Sequence, residues 1–85
     1  MRGEEILQRL RPVPFRPFRL HLTNGTVHVI RHPEMAMVTA HTVIIGIPKA
    51  NSTSDVFEDY LAVSLLHVAQ IDTIVPATPQ QPSSN

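Results

Sequence analysis

The stretch that decides the fold is Phe18-Arg-Leu-His-Leu-Thr-Asn-Gly-Thr-Val-His-Val-Ile-Arg31. Apolar and polar residues alternate before Asn24-Gly25 and again after it, which is typical of two strands that each bury one face. Asn-Gly between such runs is the strongest short hairpin signal, because both residues of the turn need positive φ. The sequence therefore predicts a β-hairpin with a two-residue turn.

A two-residue turn also fixes which residues face each other. His21 is then opposite His28, and Leu20 is opposite Val29. The face predicted to lie in the core consists of Phe18, Leu20, Leu22, Val27 and Val29. The face predicted to be polar consists of Arg19, His21, Thr23, Thr26 and His28.

The segments before and after the hairpin also carry signals. Residues 4–11 have a narrow apolar stripe and end at Pro12, so they predict a short helix. Residues 12–17 are a proline-rich connector. After a break at His32-Pro33-Glu34, a third extended piece is expected at 35–39. Residues 41–47 are apolar on both faces, so they predict a strand that is central or lies at a subunit interface, with a bend at Gly46.

The segment from Phe57 to Val75 is ambiguous. Apolar residues at helical spacing, with Asp55 and Glu58 as a capping box, would make it a helix. The favoured interpretation is a strand over 60–64, a tight turn at 65–67 and a last strand over 68–75, because β-branched residues dominate its end. We expect residues 1–75 to form a single domain and residues 76–85 to be a disordered tail.

Composition agrees with a small all-β domain. The chain has 85 residues, of which 23 are Val, Ile or Thr, and these pack well on a pleated sheet. It has no cysteine, so a disulfide framework and a zinc–thiolate site are excluded. It has neither an apolar run long enough to span a membrane nor a secretory signal, so we expect a cytoplasmic protein without a membrane partner. No motif indicates a cofactor.

The charges are balanced in number and uneven in position. Seven basic and seven acidic residues give a net charge of zero. Residues 1–31 contain six Arg and two Glu, a net charge of +4, whereas residues 32–85 contain one Lys and five acids, a net charge of −4. Unlike ends of this kind favour head-to-tail attraction between copies, or an anionic partner at the basic end.

A short helix, about five strands and a tight turn before the last strand resemble the Sm-like small barrel, a strongly bent five-stranded antiparallel sheet related to SH3-like barrels. Segments 20–25 and 68–76 are similar to the Hfq type of this fold. The resemblance implies a homo-oligomeric ring. Hfq-type proteins carry a Lys-His pair before the final strand, where this chain has Val68 and Ala69, so RNA binding does not carry over from it.

A second resemblance covers most of residues 12–75. Its motifs are Pro14-Phe-Arg-Pro-Phe18, Asn24-Gly25, Arg31-His-Pro-Glu34, Ile44-Ile-Gly-Ile-Pro48 and Val63-Ser-Leu-Leu-His-Val68. This layout resembles a family of small bacterial proteins. It implies no particular activity.

Arginine is the residue type that most favours a binding role. Arg9, Arg11, Arg16 and Arg19 lie near the N-terminus, and a guanidinium contacts phosphate through a planar fork. If clustered, they could bind an anionic ligand or RNA. The alternative is a solvated helix face, with arginines paired to Glu4 and Glu5.

Histidines provide a second candidate site. His21 and His28, if directly opposite, could share a transition metal, with His32, Glu34 or His41 as further ligands. The favoured alternative is that they belong to the solvent-facing polar side of the two strands. His32 and Glu34 could also act as an acid–base pair, but the simpler and favoured interpretation is a turn shaped by Pro33 with these two residues as its polar flanks. No other constellation indicates catalysis.

The leading prediction is a non-enzymatic β-barrel module that works by binding and assembly. A core this small barely offsets the entropy of ordering the chain, and open sheet edges invite pairing. We therefore expect a homo-oligomer, formed through strand edges or through Val43, Ile44 and Ile45. The alternatives are an Sm-like RNA-binding protein that uses the arginines, and a histidine-based metal or acid–base enzyme.

Overall fold

The computed structural model describes residues 1–50 and 56–75. It contains one helix, two 3₁₀ turns and six strands within these ranges. In chain order they are α1 (Gly3–Leu10), β1 (Phe18–Leu22), β2 (Val27–Ile30), a 3₁₀ turn (Pro33–Met35), β3 (Ala36–Val38), β4 (Thr42–Pro48), β5 (Phe57–Ser64), a 3₁₀ turn (Leu65–His67) and β6 (Val68–Thr73). The predicted class, mostly β with a short N-terminal helix, is confirmed. The predicted disordered tail at 76–85 lies outside the described residues.

The strands form two antiparallel three-stranded sheets. Sheet A has the order β2-β1-β6, and sheet B has the order β3-β4-β5. The central strand β1 buries every second residue, and so does β4 over most of its length. Strand β4 is therefore central, which is one of the two positions that its apolar faces predicted. Its ladder with β5 shifts register between Ile47 and Pro48, whereas Gly46, where a bend was predicted, pairs in register with Tyr60. The described strands number six, in two sheets that are not closed into one barrel.

The hairpin is present, but its predicted register is wrong by one residue. Leu20 pairs with His28 and His21 pairs with Val27. Gly25 has a φ of 91°, and its N–H donates to Leu22 O, while Leu22 N–H donates to Thr26 O. The loop thus has three residues and ends on a glycine in the left-handed region, the commonest alternative to a two-residue turn. Asn24 Oδ1 supports it by accepting from the Thr26 N–H at 3.0 Å.

A one-residue shift exchanges the two faces of β2. His28 and Ile30 point to the face that Leu20 shares, and Ile30 is fully buried. Val27, predicted to be core, is 46% exposed, and Val29 is only half-buried. The prediction for β1 is confirmed, because Phe18, Leu20 and Leu22 are all buried.

The ambiguous segment is extended rather than helical. Strand β5 begins at Phe57, the 3₁₀ turn is at Leu65–His67, where a tight turn was predicted, and β6 follows directly. Ser64 Oγ accepts from the Leu66 N–H at 3.2 Å and so fixes the start of the turn. Leu65 is buried, which anchors the turn in the core.

Helix α1 packs on the core through Ile6 and the partly buried Leu10. Ile6 is fully buried. The terminal amino group of Met1 donates to Leu65 O at 2.7 Å, and the Arg9 guanidinium donates to Thr73 Oγ1 on β6. These contacts supply the tertiary support that a two-turn helix needs. The core as a whole comprises Ile6, Phe18, Leu20, Leu22, Ile30, Met35, Ala36, Val43, Ile45, Val63, Leu65 and Val68.

Candidate functional site

The longest edge strand among the described residues is β5. This strand of eight residues pairs with β4 along one side, and no described strand pairs with its other side. Its exposed side chains include Tyr60 and Leu61. An unpaired strand of this length offers a row of backbone donors and acceptors to another chain. Two acidic residues, Glu58 and Asp59, are the charged side chains that it carries.

A cleft of about 740 Å³ lies between β5 and the β1–β2 hairpin. Its apolar part is formed by Leu22 on β1 with Leu61, Ala62 and Val63 on β5. Its polar part is formed by Thr23, Asn24, Thr26, His28, Ser64 and His67. An apolar concavity with a few polar groups is the usual form of a binding site.

The three-residue loop is what places His28 in this cleft. With the predicted two-residue turn, His28 would have been on the outer face together with His21. In the observed register His28 shares the inner face with Leu20, and this face points toward β5. On the opposite rim, Thr23 N–H donates to His67 O at 2.8 Å, which ties the hairpin to the 3₁₀ turn. Backbone hydrogen bonds thus define the cleft: the β1–β2 ladder places His28, and the bond from Thr23 to His67 holds the hairpin beside the 3₁₀ turn.

Sheet B has a second concavity, on its outer face. Strand register places Met37 beside Ile44, and Gly46 beside Tyr60. Gly46 is needed here, because a Cβ at this position would lie 3.0–3.1 Å from three ring atoms of Phe57. The groove has a volume of about 490 Å³, and its rim carries Glu34, Glu58 and Asp59.

The four candidate arginines do not form one free cluster. Arg9 donates to Thr73, Arg11 lies 3.3 Å from a Glu4 carboxylate oxygen, and Arg19 binds Asp72. Arg16 is exposed and has no recorded side-chain partner in the described part of the chain. Because Glu4 and Asp72 offset two of the four charges, the geometry does not favour an arginine surface for RNA. The prediction of an anionic or RNA ligand at these residues stays a prediction.

Asp72 is the centre of a small polar network on the outer face of sheet A. Arg19 Nε and Nη2 donate to its two carboxylate oxygens at 3.1 and 3.0 Å. His21 Nε2 donates to Oδ1 at 3.0 Å. The hydrogen bond from His21 and then the interactions with Arg19 lower the pKa of Asp72 below its usual value of 3.8. The network joins β1 to β6, and its carboxylate is held in the charged form.

The histidines predicted to bind a metal are separated by the observed register. His21 is opposite Val27 and faces Asp72, whereas His28 is on the inner face of sheet A, so the predicted His21–His28 pair is wrong. Within residues 1–50 and 56–75, no three His, Asp or Glu side chains lie together as metal ligands would. His32 and Glu34 flank Pro33 at the start of its 3₁₀ turn, and both are exposed. That placement fits the turn interpretation of this motif.

The apolar residues proposed as an outer face of β4 are mostly internal. Val43 is fully buried and Ile45 nearly so, and therefore neither is available to a partner. Ile44 alone points outward, into the groove beside Met37. The part of this prediction that concerns Val43 and Ile45 is wrong, because alternate residues of a strand point to opposite faces.

The cleft beside β5 was not predicted from the sequence, although a signal for it exists. Leu61 and Val63 alternate with Tyr60, Ala62 and Ser64, which indicates a strand with one apolar face. Whether an edge of β5 is unpaired depends on the order of the strands in the sheet. That order cannot be predicted from the local sequence of β5. Only the pairing of β5 with β4, and of β6 with β1, reveals that the edge is open.

Comparison of the chain with protein-family models, curated proteins and solved structures found no match. The described residues include no helix with the length and apolar character required to cross a bilayer.

Proposed function

We propose that this chain is a non-enzymatic β-module that assembles with copies of itself by adding a strand to the free edge of β5. The observation that carries the proposal is that, among the described strands, β5 is paired on one side only, next to an apolar cleft. In strand addition, main-chain hydrogen bonds supply affinity, and pockets for alternate side chains supply specificity. The edge and the cleft together provide both.

Strand β6 of a second copy is the best candidate for the added strand. It has six residues, and within the described residues β1 pairs with one of its sides only. Ala69 and Gln70 are exposed on it, and it contains no proline or lysine that would block pairing. The other strands with a free edge are poorer partners, because β3 has three residues and β2 has four.

Pairing of β5 with β6 of the next copy is a contact between two different surfaces, so it generates a ring or a chain of copies rather than a two-fold dimer. The proposed architecture is a small Sm-like barrel in which the two sheets are the halves of one strongly bent sheet. The element order and the 3₁₀ turn before the last strand support it. Assembly also adds buried area to a domain whose own core is small.

The test measures molar mass and backbone protection together. Light scattering after gel filtration gives the mass of the assembly, and hydrogen exchange at low and high protein concentration reports the amides of Phe57–Ser64. We expect a multimer, with slower exchange of the outward-facing β5 amides at high concentration. A monomer at every concentration, or exchange in β5 that does not depend on concentration, would overturn the proposal.

A matched pair of variants separates edge pairing from general destabilisation. Leu61→Lys places a charge on the inner face of the β5 edge and should reduce the molar mass to that of a monomer. Val27→Lys is the control, because Val27 is exposed on β2, the edge strand of the other sheet. It should leave the mass unchanged. Far-ultraviolet circular dichroism checks that both variants are folded.

A further inference from the structure

We infer, on the basis of the assembly proposed above, that the outer groove of sheet B binds the proline-rich connector of a second copy. In this contact Arg16 of one copy faces Glu58 and Asp59 of the next. Strand addition beside the cleft does not by itself fix whether the added strand is parallel or antiparallel to β5. The groove contact adds a second, electrostatic element that fixes the direction in which copies pair.

The groove is an exposed apolar surface with an aromatic side. Tyr60 is 67% exposed and Met37 is 62% exposed, and the Phe57 ring, which lies against Gly46, also lines the groove. Neighbouring exposed apolar side chains of this kind mark interaction surfaces, whereas isolated ones need no explanation. A ring and a thioether are well suited to contact the apolar surfaces of proline and valine.

The rim of the groove carries negative charge that the described residues do not offset. Glu34, Glu58 and Asp59 line it, and none of these three has an ionic partner in the described part of the chain. By contrast, the acidic residues Glu4 and Asp72 each lie beside an arginine. The groove therefore fits a ligand that is apolar and positively charged, and it disfavours a nucleic-acid phosphate.

The connector at residues 12–17 has that combination. Its three prolines are exposed, Val13 is 95% exposed, and Arg16 is exposed without a recorded side-chain partner among the described residues. Proline restricts φ, so the connector loses little conformational freedom when it binds. The chain has a net positive charge over residues 1–31 and a net negative charge over residues 32–85. The connector belongs to the positive part and the groove to the negative part.

The position of the connector relative to β6 determines the direction of pairing. Ile74 N–H donates to Pro17 O at 3.1 Å, which holds the connector against the C-terminal end of β6. If β6 pairs antiparallel with β5 of the next copy, this end meets the start of β5, where Glu58 and Asp59 are located. Parallel pairing would bring the connector to Ser64 instead. The two contacts are therefore compatible only in the antiparallel arrangement.

Charge reversal tests the contact. The variants are Arg16→Glu, the pair Glu58→Arg with Asp59→Arg, and the combination of all three. Sedimentation equilibrium at low salt measures the dissociation constant of the assembly. We expect each reversal alone to weaken assembly at least about tenfold, because like charges then face each other, and the combination to restore most of the loss. Arg31→Glu is the control, since Arg31 is exposed and lies outside the connector.

The outcomes separate this inference from the proposed function. If the reversals leave the dissociation constant unchanged while β5 amides remain protected by assembly, the groove contact is wrong and edge pairing stands. If the combined variant does not recover, the groove contact is also wrong, because the losses then have another cause. If the wild-type chain is a monomer at all concentrations, both proposals fail.

Discussion

Sheets A and B use their outer faces differently. On sheet A, the outer face carries Arg19, His21 and Asp72, which bind one another across the β1–β6 seam. On sheet B, the outer face carries Met37 and Tyr60, and the nearby carboxylates have no ionic partner in the described residues. Among the described residues, the charged side chains on the outer face of sheet A bind one another, and the carboxylates beside the outer face of sheet B have no ionic partner. This difference is the observation behind the proposal that the outer face of sheet B, rather than that of sheet A, contacts a second copy.

The inner faces of the two sheets differ much less. Phe18 and Leu20 on β1 and Val43 and Ile45 on β4 are all buried, and they belong to a single core. The contrast between the sheets is therefore a property of their outer faces and edges. Substitutions that act through the core should affect both sheets together, and substitutions on one outer face should have separate effects.

The largest effect is expected from Phe18→Ala. Phe18 is fully buried at the start of β1, and removing its ring leaves a cavity in the shared core. The free energy of unfolding should fall by about 3–5 kcal/mol. For a domain of this size that loss is a large part of the total stability. Urea denaturation followed by circular dichroism measures it.

Tyr60→Ala is the matched aromatic truncation on sheet B. Tyr60 is exposed, so the free energy of unfolding under conditions that favour the monomer should change by no more than about 0.5 kcal/mol. Its effect should appear in assembly instead. Equal losses of monomer stability from Tyr60→Ala and Phe18→Ala would show that the outer face of sheet B is part of the core, contrary to the comparison.

The next effect concerns the groove itself. Gly46→Val places branched carbon atoms where a Cβ alone would already lie 3.0 Å from the Phe57 ring. The ring must move outward, and the cost of overpacking should be about 1–3 kcal/mol. We expect chemical shifts to change at Phe57 and Tyr60 while those of the β1–β6 seam are retained. Shift changes that spread over sheet A would contradict the separation of the two outer faces.

The alternation of residues predicted most of this architecture. Strand β1, the hairpin, the central position of β4 and the 3₁₀ turn before β6 all follow from local patterns of apolar and branched residues. The face of β2 did not follow, because Asn24-Gly25 is compatible with a turn of two residues and with a loop of three. Because the loop has three residues and ends at Gly25, Val27 and His28 each lie on the face opposite to the one predicted.

The candidate sites were harder to predict, since they depend on contacts between distant segments. Arg19 and Asp72 are 53 positions apart in the chain, so no local pattern shows that they bind each other. The cleft beside β5 depends on which edges stay open. Sequence patterns identified the arginines and histidines as candidates, and only the folded structure shows which of them have partners.

A smaller effect is expected at the hairpin loop. Gly25 has a positive φ of 91°, so Gly25→Ala should cost about 1 kcal/mol, because Ala is strained in this conformation. Gly25→Asn is the control and should cost less, since Asn tolerates the left-handed region better than Ala. Thermal denaturation ranks the three proteins. If Ala and Asn have the same effect, the loop conformation is not what limits stability.

The smallest effect, and the one that tests sheet A alone, is expected from Asp72→Asn. The pKa of Asp72 is lowered in the folded chain by the His21 hydrogen bond and by Arg19. The folded state therefore binds the proton less readily than the unfolded state, whose aspartate pKa is about 3.9. The stability that Asp72 contributes is fully present above that value and is lost as the pH falls through the lower folded pKa.

The free energy of unfolding of the wild-type protein should thus fall from about pH 4 downward. Asp72→Asn should be less stable than wild type near neutral pH, and its free energy of unfolding should fall less steeply in acid. The difference between the two should be small and should shrink further in high salt, since the Asp72 side chain is 35% exposed and the ion pair is screened. Arg19→Gln removes the ion pair and leaves the carboxylate, so it should also give a shallower loss of stability in acid than wild type. If Arg19→Gln kept the full wild-type acid profile, the seam of sheet A would not depend on this ion pair, and the contrast between the two outer faces would lose its main support.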